Sequence, residues 1–305
     1  MRGPDPAAPV FLIGAARSGT SLLYKCLCLH PETAWISNWQ RRLPGHPGLA
    51  VLNRLAPRLP DRRRVVWFRG GGNAYVYGSR RRMTDRLFPM PVEGEPLFAH
   101  CGVPAPAQWS PPPHEVDLEA LRKLVAAIVR RSGGRVFVNK RIGNNWRIPL
   151  LQAAFPRARF VELVRDGRAV AYSLSRVDWW DDSDLPWLGG GTPREWSDAG
   201  LNAWDLCALN WVAELDAIAD GLREVPDEQR MHLRYEDFVA SPVETLEQVA
   251  EFARLRPDAG WRRELTALHY PDRNDSWRSK LDPHLVRRIE ADQADKLKEH
   301  GYALP

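Results

Sequence analysis

Short apolar runs alternate with segments of helical period along most of this chain. PVFLIG (9–14) is a compact apolar run with β-branched members, closed by glycine, and predicts a buried parallel strand. TSLLYKCLCLH (20–30) follows with Leu22, Leu23, Cys26 and Leu27 at helical spacing, and Pro31 stops it. DLEALRKLVAAIVRRSG (117–133) predicts an amphipathic helix ended by glycine. RVFVNK (135–140) reads as a second buried strand and ARFVELVRD (158–166) as a third. Between them NNWRIPLLQAAF (144–155) reads as a helix bent or broken at Pro149. Helices are expected at 167–177 and 202–223, and a fourth strand at RMHLRYEDF (230–238). SPVETLEQVAEFARL (241–255) predicts a helix with Ser241 as N-cap and Pro242 in its first position.

Two stretches break this rhythm. Residues 40–115 are rich in Pro, Gly and Arg and weakly periodic, with helix expected near 48–56 and a strand at RVVWF (64–68). Residues 178–200, DWWDDSDLPWLGGGTPREWSDAG, are irregular and aromatic. Strands alternating with helices define the expected fold class: α/β, a P-loop-like parallel β-sheet flanked by helices and carrying two irregular insertions as lids. A chain of 305 residues suffices for one large α/β domain or two small ones, and it has no internal repeat.

Composition narrows the function classes. Hydrophobic content of 44% and charged content of 27% are those of a globular protein, and no apolar run reaches the 18 residues of a membrane span. The N-terminal apolar stretch reads as the entry to a strand, not as a signal peptide. A net charge of +5 allows three kinds of partner: nucleic acid, a membrane surface or an anionic small molecule. Two basic runs, DRRRVV (61–66) and SRRRM (79–83), read either as solvated faces or as part of a cationic site. No nucleic-acid motif accompanies them, so no nucleic-acid partner is expected. Cys26, Cys28, Cys101 and Cys207 lack metal-ligand or disulfide spacing and read as reduced, buried thiols, which suits a cytoplasmic location.

The chemistry concentrates in GAARSGTS (14–21). Its frame is that of a phosphate-binding loop, G-x-x-x-x-G-K-[ST], between a strand and a helix. Thr20 replaces the lysine, and a cation stands earlier, at Arg17. Such a loop offers backbone amides and a helix dipole to an anion, with Ser18, Gly19, Thr20 and Ser21 around it and Arg17 able to fork onto its oxygens. A second group lies at LVRDGRAVAYSL, where Arg165 ends a strand and Ser173 follows eight residues later on the next helix, a little over two turns on. Ligands collect at the carboxyl ends of parallel strands, so this pair suits a second phosphate. The two groups together describe a ligand with two separate anionic ends.

Four segments in order resemble the PAPS-dependent sulfotransferases, in their bacterial and Golgi-like branch. GAARSGTSLLYKCLCLHPE resembles the family's 5′-phosphosulfate loop and RFVELVRDGRAVAYSL its 3′-phosphate motif. LRYEDFVASPVETLEQVAEFARL resembles the Tyr-Glu-Asp strand and helix segment, and RNDSWRSKLDPHLVRRIE with GYALP resembles the C-terminal end. The likeness covers roughly 9–36, 135–177 and 230–304. It implies one sulfotransferase domain over 1–305, with 40–115 and 178–200 on the acceptor side. It implies 3′-phosphoadenosine 5′-phosphosulfate (PAPS) as sulfuryl donor, adenosine 3′,5′-bisphosphate (PAP) as product, and no metal. It places Arg17 on the bridging oxygen of the leaving group, Lys140 near the sulfuryl group, Arg165 and Ser173 on the 3′-phosphate, and Tyr235 on the adenine. Arg273, Ser276 and Trp277 fall in the loop that closes over the nucleotide.

The sequence departs from the family at its bases. The histidine of cytosolic members, two residues past the strand-end lysine, is Ile142 here, and the glutamate of tyrosylprotein members, about 21 residues past the loop cation, is Asn38. Asp178 is the leading replacement because it follows the 3′-phosphate helix directly; Asp181, Asp182, His46, His100 and His114 are further candidates. Trp179, Trp180, Trp187 and Trp196 serve either as packing anchors or as walls for a small-molecule or glycan acceptor. The expected reaction is sulfuryl transfer to a hydroxyl, with an amine as second choice. Two other readings are a P-loop kinase or NTPase with Asp166 on Mg²⁺, and a nucleotide-binding protein without catalysis. Abundant Ala, Arg and Pro fit a GC-rich bacterial gene.

Overall fold

The computed structural model describes residues 7–68, 83–103 and 111–304. Five parallel strands form one sheet in the order β2-β3-β1-β4-β5. They are β1 (Ala7–Ile13), β2 (Thr33–Ala34), β3 (Val136–Lys140), β4 (Arg159–Val164) and β5 (Arg230–Arg234). Strand β1 is central, flanked by β3 and β4, and its residues Val10–Ile13 are buried, as a parallel strand covered on both faces requires. The short edge strand β2 was not visible in the sequence, since two residues carry no period.

The helices in chain order are α1 (Thr20–Cys28), α2 (Asn38–Arg42), α3 (Pro60–Phe68), α4 (Met83–Leu87), α5 (Glu95–His100), α6 (Leu118–Ser132) and α7 (Ile148–Ala154). They continue with α8 (Gly167–Leu174), α9 (Pro193–Asp198), α10 (Ala203–Leu222), α11 (Tyr235–Ala240), α12 (Pro242–Phe252), α13 (Ala259–Thr266) and α14 (Pro283–Glu299). The Asp117 side chain caps α6 by accepting from the Ala120 amide, and Gly133 ends that helix in the left-handed region.

Five sequence expectations change. Residues 64–68 are helical, not extended: in α3 the buried positions Arg63, Val66 and Trp67 follow helical spacing while Val65 faces solvent. The fourth predicted strand stops at Arg234, and Tyr235 opens α11 with Glu236 and Asp237 in its first turn, where the helix dipole favours them. Pro149 does not kink a helix but sits at the start of α7, after a 3₁₀ turn at Ile142–Trp146. Ser241 holds the N-cap position of α12 without a side-chain cap bond. The helix expected near 48–56 is a 3₁₀ segment, Pro47–Leu55.

The basic run 61–66 has divided roles. Arg63 is buried, bound to Glu264 at 2.5 and 2.6 Å and lying over Trp67, while Arg62 pairs with Asp85 and Arg64 with Asp61. The run 79–83 lies outside the described residues apart from Met83. All four cysteines are free and buried, and burial pushes the thiols of Cys26 and Cys207 up to about 12 and that of Cys101 up to about 11. No helix of the described residues is long and apolar enough to cross a membrane.

Candidate active site

The carboxyl ends of β1, β3, β4 and β5 open into one cavity of about 1700 Å³. A drug-sized ligand needs roughly 300–1000 Å³, so this space holds two substrates side by side. Its wall includes Arg17, Thr20 and Ser21 from the loop and head of α1, Lys140 from β3, Arg165 just past the end of β4, and Ser173 from α8. Tyr235, Arg273 and Ser276 complete this part of the wall.

The loop 14–20 is held from behind. Asn145 accepts from the Gly14 amide at 3.1 Å and donates to its carbonyl at 3.0 Å. Glu214, buried on α10, accepts from the Ala16 amide at 2.5 Å, from Asn210 at 3.0 Å and from Asn145 at 3.3 Å. Burial pushes this carboxyl up to about 7, against the pull of its donors and of the Lys140 cation. With its back satisfied, the loop turns its front to the cavity. Gly19 takes φ 95° and lies against the Tyr235 ring, where a Cβ would fall 2.7 Å from Cδ2; only glycine fits. The amides that open α1 have no acceptor within the helix and are available to an anion.

Arg17 joins the two anion sites expected from the sequence. It stands in the left-handed region, φ 72°, a costly conformation for arginine of the kind found at functional sites. In that conformation its Nε donates to Ser173 Oγ at 3.0 Å and its carbonyl accepts from Arg165 at 3.0 Å. Arg165 also donates to the Arg273 carbonyl at 2.7 Å and to Asn274 at 3.2 Å, and stacks on the Tyr235 ring at 4.3 Å. Burial first, then the Arg165 and Arg273 cations, lower the Arg17 pKa; burial lowers that of Arg165. Three guanidiniums thus gather at one end of the cavity, a cost in free energy that a polyanion offsets.

Other expected residues take different places. Ser18 is wholly buried under the loop, its amide on the Ala15 carbonyl and its hydroxyl without a partner among the described residues. Trp277 is buried between Arg168 and Arg278, at 4.8 and 4.6 Å, and does not reach the cavity wall. Of the four tryptophans of 178–200, Trp179 opens on the cavity at 47% exposure. Trp180 is core, Trp187 donates to Asn210, and Trp196 donates to the Gly190 carbonyl. Asp178 is exposed at the cavity rim. Asp182 pairs with Arg194, and His46, His100 and His114 lie outside the wall. Asp166 caps α8 and is gripped by Arg168 at 2.8 Å, with Glu290 on the far side of that guanidinium. That commitment leaves the kinase or NTPase reading without its metal carboxylate. Among the described residues no group of three or more His, Cys, Asp or Glu is placed to hold a metal ion.

Several site residues were missed in the sequence. Glu93 lines the cavity and pairs with Lys140 at 2.5 Å. Its only signal was that Glu93 and Glu95 are the sole carboxylates in 86–114. Arg41, Arg176 and His269 also reach the wall, as does Arg64 of the basic run 61–66; no spacing marked the first three, because each comes from a different element.

The profile of the sulfotransferase family matches residues 9–259. Comparison with curated proteins returned no significant match. Sulfotransferase STF1 of Mycobacterium tuberculosis H37Rv shares the fold at TM-score 0.57 and 16% identity, over 95% of this chain and 77% of that one. Sulfotransferase STF9 of Mycobacterium avium aligns at TM-score 0.56 and 17% identity, over 98% of this chain and 79% of that one. The sulfotransferase domain of the curacin biosynthetic pathway aligns at 0.52 and 15% identity, over 98% and 99% of the two chains. A profile match across most of the sequence, on a parallel sheet whose loops build a guanidinium-lined cavity, shows that the chain belongs to the sulfotransferase family and is a sulfuryl-transferring enzyme.

Proposed function

We propose that the chain transfers the sulfuryl group of PAPS to the hydroxyl of a small-molecule or glycan acceptor, with an amine as second choice, by in-line displacement. The observation that carries this reading is the gathering of Arg17, Arg165 and Arg273 at one end of a cavity whose floor is the head of α1. A nucleotide phosphorylated at both its 3′ and 5′ positions matches a cluster of three cations with two separate anionic groups.

In this reading the loop amides, with Ser18 beneath and Thr20 and Ser21 in front, hold the 5′-phosphosulfate. Arg165 and Ser173 hold the 3′-phosphate, and Tyr235, Arg273, Ser276 and the buried Trp277 shape the nucleoside end. Arg17 neutralises charge building on the bridging oxygen as the S–O bond breaks, and Lys140 lies beside the transferring group. Asp178 and Glu93 are two carboxylates on the acceptor side. Guanidiniums and amides supply the charge, so the displacement as read requires no metal. The same reading takes 1–305 as one unit of a cytoplasmic, bacterial enzyme, with 40–115 and 178–200 around the acceptor.

The test is calorimetric titration with PAP and with AMP. We expect PAP to bind with a dissociation constant below about 1 mM and AMP at least about tenfold more weakly. Failure of PAP to bind, or equal affinity for the two, would overturn the donor assignment.

A further inference from the structure

Neither of the family's two base positions can take a proton here, yet the segment held by the first leads into a carboxylate that the second touches. Asn38 is an amide committed to backbone: its Nδ2 donates to the carbonyls of Arg86 and Phe88 at 3.0 and 3.1 Å, and its Oδ1 accepts from the Met90 amide at 3.1 Å. The Asn38 amide donates to the Met90 carbonyl and the Val92 amide to the Ile36 carbonyl, so residues 86–92 are laced to 36–38. Glu93 is the next residue. Behind it Gly94, at φ 79°, lies so close to Ile36 that a Cβ would fall 2.6 Å from Cδ1. The chain therefore turns at Glu93 against a packed floor and has little freedom to lift.

The other missing base position meets the Glu93 side chain directly. Ile142, where cytosolic members carry histidine, donates its amide to Glu93 Oε2 at 3.4 Å. Lys140 Nζ lies 2.5 Å from Oε1, and Asn139 donates to the Glu93 carbonyl at 3.1 Å. Glu93 is thus fixed through backbone and side chain, stays 22% exposed, and faces the cavity that Arg17 and Lys140 also line. Asp178 has no such support: it is exposed at the rim, with no hydrogen bond among the described residues.

We propose that Glu93 is the general base of the transfer, supplied by the lid segment in place of the two family bases. The inference rests on the sulfotransferase reading. The acceptor oxygen forms a bond to sulfur as the bond from sulfur to the bridging oxygen breaks. That electron pair leaves on the 5′-phosphate of PAP beside Arg17, and the acceptor proton passes to the Glu93 carboxylate, which later yields it to water.

The experiment compares wild type, Glu93→Gln, Glu93→Asp and Asp178→Asn, as full chains with PAPS as donor. Phenol, 4-nitrophenol and water serve as probe acceptors, and PAP binding is titrated in each protein. We expect Glu93→Gln to lower transfer to phenol by about 10²-fold or more. Transfer to 4-nitrophenol, which is largely ionised at the upper end of the pH range and brings no proton, should fall less than about fivefold. Should no phenol react, the slow transfer to water provides the rate, and it should fall with phenol's factor. Glu93→Asp should recover part of the rate, and PAP affinity should stay within about twofold throughout. Equal losses on both phenols, an undiminished rate in Glu93→Gln, or a larger selective loss in Asp178→Asn would overturn the assignment. Loss of PAP binding by wild type would instead undo the donor reading, so the two failures are distinguishable.

Discussion

Arg17 carries the most chemistry of any single residue. Its Nε is on Ser173, its carbonyl on Arg165, and its backbone is held in the left-handed region. If its main role is to meet charge that appears only in the transition state, Arg17→Ala should lower kcat by about 10²- to 10³-fold while PAP affinity changes far less. Equal losses in both would make Arg17 a ground-state anchor. Arg165 should behave in the opposite way. Its guanidinium is the one joined to both the loop and the 273–274 turn, so Arg165→Ala should cut PAP affinity by about 10- to 100-fold, toward that of AMP. Unchanged preference for the 3′-phosphate, by calorimetry, would remove Arg165 from the site. Glu214 adds a pH dependence. Its folded pKa of about 7 lies above the ordinary 4.5, so the folded state binds the extra proton. Its contribution to stability is complete below about pH 4.5 and is lost as pH rises through about 7, by at most about 3 kcal/mol. Urea unfolding at several pH values should show wild type losing stability relative to Glu214→Gln across that window; parallel curves would refute the linkage.

At the scale of elements, the described part of the 40–115 insertion is a set of short helices tied to the rest of the fold by buried polar contacts. Arg63 of α3 reaches Glu264 of α13, and Lys25 of α1, itself buried, donates to the Trp67 carbonyl at 3.0 Å. Asn38 does the same for residues 86–90 with three hydrogen bonds, two of them fully buried. Truncation to Asn38→Ala strands two carbonyls and an amide, which should cost about 1–3 kcal/mol of stability. Because the segment leads into Glu93, the same variant should lose at least about tenfold in kcat with PAP affinity retained. Intact kcat in a destabilised Asn38→Ala protein would separate the clamp from the chemistry. These elements also mark the boundary of what the sequence disclosed. The strands β1, β3 and β4 and the long helices were legible because burial on two faces, or on one stripe, leaves a period. Helix α3 was read as a strand because Arg63, buried on a pair from α13, looks polar in any window. Glu93 was illegible because its partners Lys140 and Ile142 lie more than 40 residues away.

For the whole molecule, a net charge of +5 is less informative than where the charge gathers. Many arginines are spent in pairs such as Arg168 with Asp166 and Glu290, or Arg288 with Asp205. At Arg17 the neighbouring Arg165 and Arg273 cations act repulsively, and all three residues line one hollow. PAP affinity should therefore fall as salt is raised from about 0.05 to 0.5 M, since screening weakens exposed and half-buried attraction alike. An affinity indifferent to salt would argue that hydrogen-bond shape, not charge, holds the nucleotide.

The amino-acid sequence alone determined the alternation of strand and helix, the Gly-bounded loop at 14–21 and the positions of Arg17, Arg165 and Ser173. Each of these is written in local spacing, and local spacing survives without a fold. Tertiary structure decided the rest: that Arg17 touches Ser173, that Asn145 and Glu214 brace the loop from behind, that Trp179 alone of the four tryptophans of 178–200 lines the cavity, and that Glu93 meets Lys140 and the Ile142 amide. These are contacts between residues tens to hundreds of positions apart, and only the closure of the parallel sheet brings them within hydrogen-bond reach.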